Sequence, residues 1–170
     1  MGRKNQHRCH GDPDRFAAVA EFIAQTYGAS IRYIADVGGG QGLLSRLLRK
    51  RYRYDCEVVD PRGWTLKGVP GRASELDASM AGYYDLIVGL HPDEATRAVA
   101  QAALVRPAIL IPCCNFWSEG KLGHNELVEA ITDFYQAHRV RFDRVVFAFR
   151  GPQNVGLVSA PGCGPGTDAH

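Results

Sequence analysis

Apolar positions along this chain change period several times, and each change marks an element. Phe16, Val19, Phe22, Ile23 and Ala24 recur at helical spacing after Asp12-Pro13-Asp14, whose capping chemistry opens a helix that Gly28 stops. Residues 31–37 read as a strand feeding a cluster of glycines, and Leu43, Leu44, Leu47 and Leu48 then form the apolar stripe of a helix ending near Arg53. Short strands follow at 56–59, 71–73 and 84–88, with helical signals between them. Residues 93–104 read as an Ala-rich helix and 107–111 as an apolar strand ending at Pro112-Cys113-Cys114. A helix over 125–138 carries Leu127, Ile131 and Phe134. Strands over 140–149 and 155–159 are joined by the turn 150–154, which closes them as an antiparallel hairpin.

Strands alternating with helices predict an α/β domain with a mostly parallel sheet, helices on both faces and a C-terminal antiparallel hairpin. A length of 170 residues fits a single domain. Residues 1–12 read as a basic N-terminal arm and 160–170, rich in Gly and Pro, as a loose tail. No apolar run approaches the roughly 20 residues that span a bilayer, and the polar N-terminus does not look like a signal peptide, so a cytoplasmic protein without membrane contact is expected.

The segment Asp36-Val-Gly38-Gly39-Gly40-Gln41-Gly42 joins the first strand of the alternation to its helix, the place where a doubly wound sheet binds a nucleotide. Its spacing is G-x-G-x-G, with Leu43 where the third glycine of a dinucleotide fingerprint would fall. That departure favours S-adenosylmethionine as the cofactor. Asp60, at the end of the second strand, is placed to accept the two ribose hydroxyls. Asp36 would lie beneath the methionine end, where negative charge complements ammonium and sulfonium groups and repels a pyrophosphate.

The chain resembles class I S-adenosylmethionine-dependent methyltransferases, with their Rossmann-like fold. The segments Gly89-Leu90-His91-Pro92-Asp93-Glu94-Ala95-Thr96 and Ile111-Pro112-Cys113-Cys114-Asn115-Phe116-Trp117 resemble the tRNA (uracil-2′-O-)-methyltransferase family more narrowly. Gly42-Leu-Leu44 and Asp60-Pro61-Arg62-Gly-Trp64 agree with that likeness; Leu90 stands where the family has Asn, and Ala95 where it has Leu. The resemblance implies a cofactor site of Asp36, Gly38, Gly39, Gly40, Gly42, Asp60, Pro61, Arg62, Gly89, Leu90 and His91. It also implies an RNA acceptor, tRNA or rRNA, methylated on a ribose 2′-oxygen, with the family's further RNA-binding surface either lacking or supplied by a partner protein. The fold alone does not choose the substrate, and a small-molecule or protein acceptor, or a non-catalytic cofactor-binding partner module, are the alternative readings.

His91, at the end of the fourth strand, is the side chain of that turn suited to deprotonating a hydroxyl near neutral pH; the plainer reading is a hydrogen-bonded strand-end histidine. Asp93 is a second acid–base candidate, although a carboxylate at a helix start is favoured by the dipole whatever its function. Cys113 could attack C6 of a pyrimidine if carbon were methylated, but adjacent cysteines are also ordinary core residues. Asn115, Phe116 and Trp117 offer an amide and two aromatic faces to an unpaired base, or a core pair. A set drawn from Cys9, His10, Cys113 and Cys114 has metal-ligand chemistry, yet adjacent cysteines chelate poorly, so no metal is expected.

Composition adds little. Five cysteines without CxxC spacing argue against a disulfide framework. Twenty basic and 18 acidic side chains leave a net charge of +2, too balanced to identify a polyanion partner. The basic residues are grouped, however, at 3–10, at 46–53 and at 139–144. These groups are either an RNA footprint or solvated faces.

Overall fold

The computed structural model describes residues 11–162. Most of the basic arm, with Cys9 and His10, and the tail from Cys163 onward lie outside the described residues. Seven strands form one sheet: β1 (Tyr33–Val37), β2 (Asp55–Val59), β3 (Gly71–Arg72), β4 (Leu86–Leu90), β5 (Ala108–Ile111), β6 (Arg141–Val146) and β7 (Val155–Ala160). Their order is β3-β2-β1-β4-β5-β7-β6. The pairs up to β5 are parallel, whereas β7 runs antiparallel to both β5 and β6. This is the class I methyltransferase arrangement of a Rossmann-like sheet with a terminal hairpin.

Period-2 alternation divides the buried side chains between two faces. On one, Val19 and Ile23 of α1 (Arg15–Tyr27) and Leu44 and Leu48 of α2 (Leu43–Tyr52) pack against Ile34, Leu86, Val88 and Ile109. On the other, Val99 and Ala100 of α3 (Thr96–Ala102) and Leu127, Ile131 and Tyr135 of α4 (His124–Ala137) pack against Ala35, Val37, Ile87 and Leu110. Each helix carries one apolar stripe, and the sheet between them is apolar on both sides. No helix of the described residues is long and apolar enough to cross a membrane.

Three expectations need correction. Between β2 and β4 no α-helix forms among the described residues, only a 3-10 helix over Ala78–Tyr83. Pro61, Gly63, Gly68 and Pro70 break any longer run in that interval. The helix expected from residue 93 begins as a 3-10 turn, Asp93–Ala95, before α3. Finally, β6 stops at Val146, because Phe147 and Phe149 turn into the core and Asn154 closes the loop with amide bonds to both of their carbonyls, at 3.3 and 3.1 Å.

Candidate active site

The parallel strands end on one edge, and the turn from β1 into α2 forms its floor. Gly38, Gly40 and Gly42 have φ of +65°, +56° and +78°, a region L side chains rarely adopt. Contact adds a second constraint: a Cβ on Gly38 would lie 2.9 Å from the Pro92 carbonyl oxygen, and one on Gly42 2.7 Å from Val58. The turn is thus pressed between the exit of β4 and strand β2. Beneath it, the buried Asp36 carboxylate accepts from the Ser45 amide at 3.2 Å and the Ser45 hydroxyl at 2.9 Å. Burial pushes its pKa up to about 6 against those bonds. Asp36 therefore ties the start of α2 to β1 while placing a titratable charge under the turn.

Asp60, at the end of β2, is buried and saturated. Its Oδ2 accepts from the Gly40 amide at 2.9 Å and Arg62 Nη2 at 2.6 Å, and its Oδ1 from the Arg62 amide at 3.0 Å and Nε at 2.9 Å. Those four bonds fill the acceptor positions of a carboxylate. The Arg62 hydrogen bonds hold Asp60 below the usual carboxylate range. The Arg62 side chain is 46% exposed and lies over the Trp64 ring, 5.4 Å from its centroid. Asp60 and Arg62, both expected at the cofactor, hold each other in the fold.

Two cavities open beside the turn. The smaller, about 300 Å³, is bounded by Asp60, Pro61, Leu76, Glu94, Ala95 and Phe116. The larger, about 530 Å³, runs over Gly39–Gln41 to His91, Cys113, Cys114 and Gln153. Gly38, Arg62 and Asp93 border both. Leu90 reaches the larger cavity, but Gly89 reaches neither: its space is taken by Val99 and Pro92, which a Cβ would meet at 2.9 and 3.0 Å.

His91 and Asp93 both adopt positive φ, +52° and +49°, a rare conformation for residues other than glycine. His91 Nε2 is 2.9 Å from the Gln153 carbonyl oxygen. A carbonyl only accepts, so Nε2 carries the proton and the lone pair of the neutral ring is on Nδ1. Burial lowers the His91 pKa, which favours that neutral form. The Cys113 thiol donates to Asp93 Oδ1 at 3.0 Å, and burial followed by Asp93 pushes it upward. In this state it is a hydrogen-bond donor, not a thiolate nucleophile.

Of the three residues expected to read a base, Phe116 alone borders either of these two cavities. Asn115 is consumed by its own loop: its Oδ1 accepts from the Trp117 and Ser118 amides at 3.1 and 3.3 Å, and its amide donates to the Ser118 and Gly120 carbonyls. Trp117 packs edge-on against Phe134, with ring centroids 5.5 Å apart, and beneath Arg97. Phe116 is exposed and borders the smaller cavity. The fold also brings to the cavities four residues not singled out as site candidates, Arg15, Phe16, Leu76 and Gln153. Only Gln153 carried a signal, its place in the Gly/Pro turn before the last strand.

The architecture is shared with solved structures of the class I S-adenosylmethionine-dependent methyltransferase fold. The sugar N-methyltransferase KedS8 from Streptoalloteichus superposes with a TM-score of 0.59 at 13% identity, over 95% of this chain and 98% of that one. DesVI of Streptomyces venezuelae gives 0.55 at 13% identity, over 88% and 93%. The methyltransferase domain of bacterial CtHen1-CN gives 0.56 at 13%, over 86% and 97%. At these identities the likeness establishes the fold. No family model matches the sequence, and no curated protein matches it.

Proposed function

We propose that this chain is an S-adenosylmethionine-dependent methyltransferase acting on a hydroxyl or amine of a small molecule held in the larger cavity. The observation that carries the reading is the junction of the two cavities at Gly38, Arg62 and Asp93, with the glycine turn on one side and His91 on the other. Pro61, Leu76, Ala95 and Phe116 would flank the adenine, and Asp60 would meet the ribose once Arg62 swings aside. The glycine turn and the Asp36 charge would receive the methionine end. When bound, the cofactor supplies an electrophilic methyl group on a sulfonium.

The chain's own task is to position the acceptor and remove its proton. With Nε2–H committed to Gln153, Nδ1 of His91 is the ring atom that takes the proton as the acceptor atom gains the methyl group. A small acceptor is supported by the internal use of Asn115 and Trp117 and by the likeness to a structure named for sugar N-methyltransfer. A second reading, an RNA acceptor with a partner protein adding surface, is favoured by two features. Arg46, Arg49, Lys50 and Lys67 line a shallow cleft of about 380 Å³ beside α2. The motif resemblance to tRNA (uracil-2′-O-)-methyltransferases points the same way.

Calorimetry with S-adenosylhomocysteine and with NAD tests the cofactor assignment. Binding of the first alone is expected, and no heat with either would leave the fold as a non-catalytic partner module. Labelled methyl transfer into a metabolite extract against total RNA then separates the acceptors. Transfer to RNA that weakens steeply with salt, as counterion release requires, would replace the small-molecule reading.

A further inference from the structure

We propose that Asp93, Cys113 and Cys114 form a binding site for a thiophilic divalent cation of the zinc class, with one coordination position open to the larger cavity. Their carboxylate oxygen and two sulfur atoms all lie within 4.8 Å of one another, and Asp93 Oδ1 and Cys113 Sγ are 3.0 Å apart. Tetrahedral zinc, with bonds of about 2.3 Å to sulfur and about 2.0–2.2 Å to oxygen, sets neighbouring ligand atoms roughly 3.5–3.8 Å apart. Side-chain rotation alone spans that difference. Two adjacent cysteines make a poor chelate by themselves, but here the third donor arrives from a different strand end, β4 rather than β5.

The backbone around these donors is already fixed. The Gln153 amide donates to the Cys113 carbonyl at 3.0 Å, the Phe116 amide to the Cys114 carbonyl at 3.0 Å, and the Thr96 hydroxyl to the Asp93 carbonyl at 2.7 Å. Two thiolates and one carboxylate select a borderline-soft ion over magnesium or calcium. Binding displaces two thiol protons, and the three anionic ligands with a dication leave a site of net charge −1. Three protein ligands and an open position are the pattern of catalytic rather than structural zinc. All three ligands border the larger cavity that holds His91, so the open position would face the oxygen or nitrogen of the acceptor. This deepens the methyltransferase reading, but metal binding itself does not depend on it.

The test is a cadmium titration of the reduced, full-length protein, read by the ultraviolet thiolate-to-metal charge-transfer band, with native mass spectrometry giving stoichiometry. One equivalent should saturate the band. Cys113→Ser/Cys114→Ser should abolish it, and Asp93→Asn should weaken the affinity by about tenfold or more. If the double variant does not fold, Asp93→Asn decides, and unchanged affinity would overturn the site. So would a wild-type protein that shows no band, or a band that persists in the folded double variant. S-adenosylhomocysteine binding by the same wild-type preparation separates failure of the metal site from failure of the cofactor reading.

Discussion

The guanidinium of Arg62 grips the carboxylate of Asp60 at two points, Nε to Oδ1 at 2.9 Å and Nη2 to Oδ2 at 2.6 Å. In the proposed cofactor site a ribose diol would have to displace at least part of this clamp to reach the carboxylate, and Arg62 would then work as a latch. The guanidinium is half-exposed and the pair is screened by solvent, which limits the gain from removing it to about 0.5–1 kcal/mol. Arg62→Ala should tighten S-adenosylhomocysteine binding by about two- to fivefold, measured by calorimetry. A loss of tenfold or more would instead make Arg62 a direct ligand contact.

Gly39 has an ordinary φ but no space. A Cβ there would sit 2.5 Å from the Asp36 carboxyl carbon, whose oxygens are held by Ser45. Gly39→Ala should destabilise the fold by about 1–3 kcal/mol in denaturant titration, as overpacking does. Gly82→Ala, with nothing within 4 Å of its added Cβ, is the control and should be near neutral. Equal effects at the two positions would contradict the packing assigned to the turn.

Asp36 is raised from 3.8 to about 6, chiefly by burial. A raised acid holds its proton longer in the native state than in the unfolded chain. Its contribution to stability is therefore full below about pH 4 and lost as pH rises through about 6, by roughly 2–3 kcal/mol. The groups facing it are Ser45 from α2, the Cys56 thiol of β2, pushed up by burial, and the Asp60 carboxylate at the end of β2. Asp60 is held low and titrates below 3.8, in a separate acid window where its contribution is lost as pH falls. Asp36→Asn should flatten the wild-type slope between pH 4 and 6 in chemical denaturation. In wild type, affinity for the cationic end of S-adenosylmethionine should rise across pH 6; a fall would contradict the placement of that charge.

His91 combines a left-handed backbone with a committed Nε2, so a substitution must respect both. Asparagine tolerates that conformation better than most residues. His91→Asn should reduce single-turnover methyl transfer by about 10²–10⁴-fold, the usual contribution of a positioned base, while S-adenosylhomocysteine affinity stays near wild type. Near wild-type transfer by the folded variant would remove His91 from the chemistry. Loss of melting temperature and cofactor affinity together would mark it as structural.

What the chain determined by itself is local and periodic. The switch between helical and alternating spacing delimits α1, α2, β1 and β2, and the alternation of elements implies a parallel sheet, because a helical crossover must return to the same edge. The terminal hairpin follows from two apolar runs and a Gly/Pro turn. The glycine segment was legible for the same reason: three positive φ values in five residues leave a composition that few other structures need. Other relationships were settled only when strand ends met across the sheet. Asp93 and Cys113 are 20 residues apart, and His91 and Gln153 are 62 apart. Neither pair has a periodic trace, because β4, β5 and β7 become neighbours through hydrogen bonding rather than through spacing. Even Arg62, two residues from Asp60, needed the fold. A flexible guanidinium chooses its partner by which carboxylate is buried beside it, and the turn brings the Gly40 amide, 20 residues away, onto the same Oδ2 that Arg62 Nη2 binds. Asn115 likewise spends its amide on the loop that follows, a choice made by the course of the backbone and invisible in residue type.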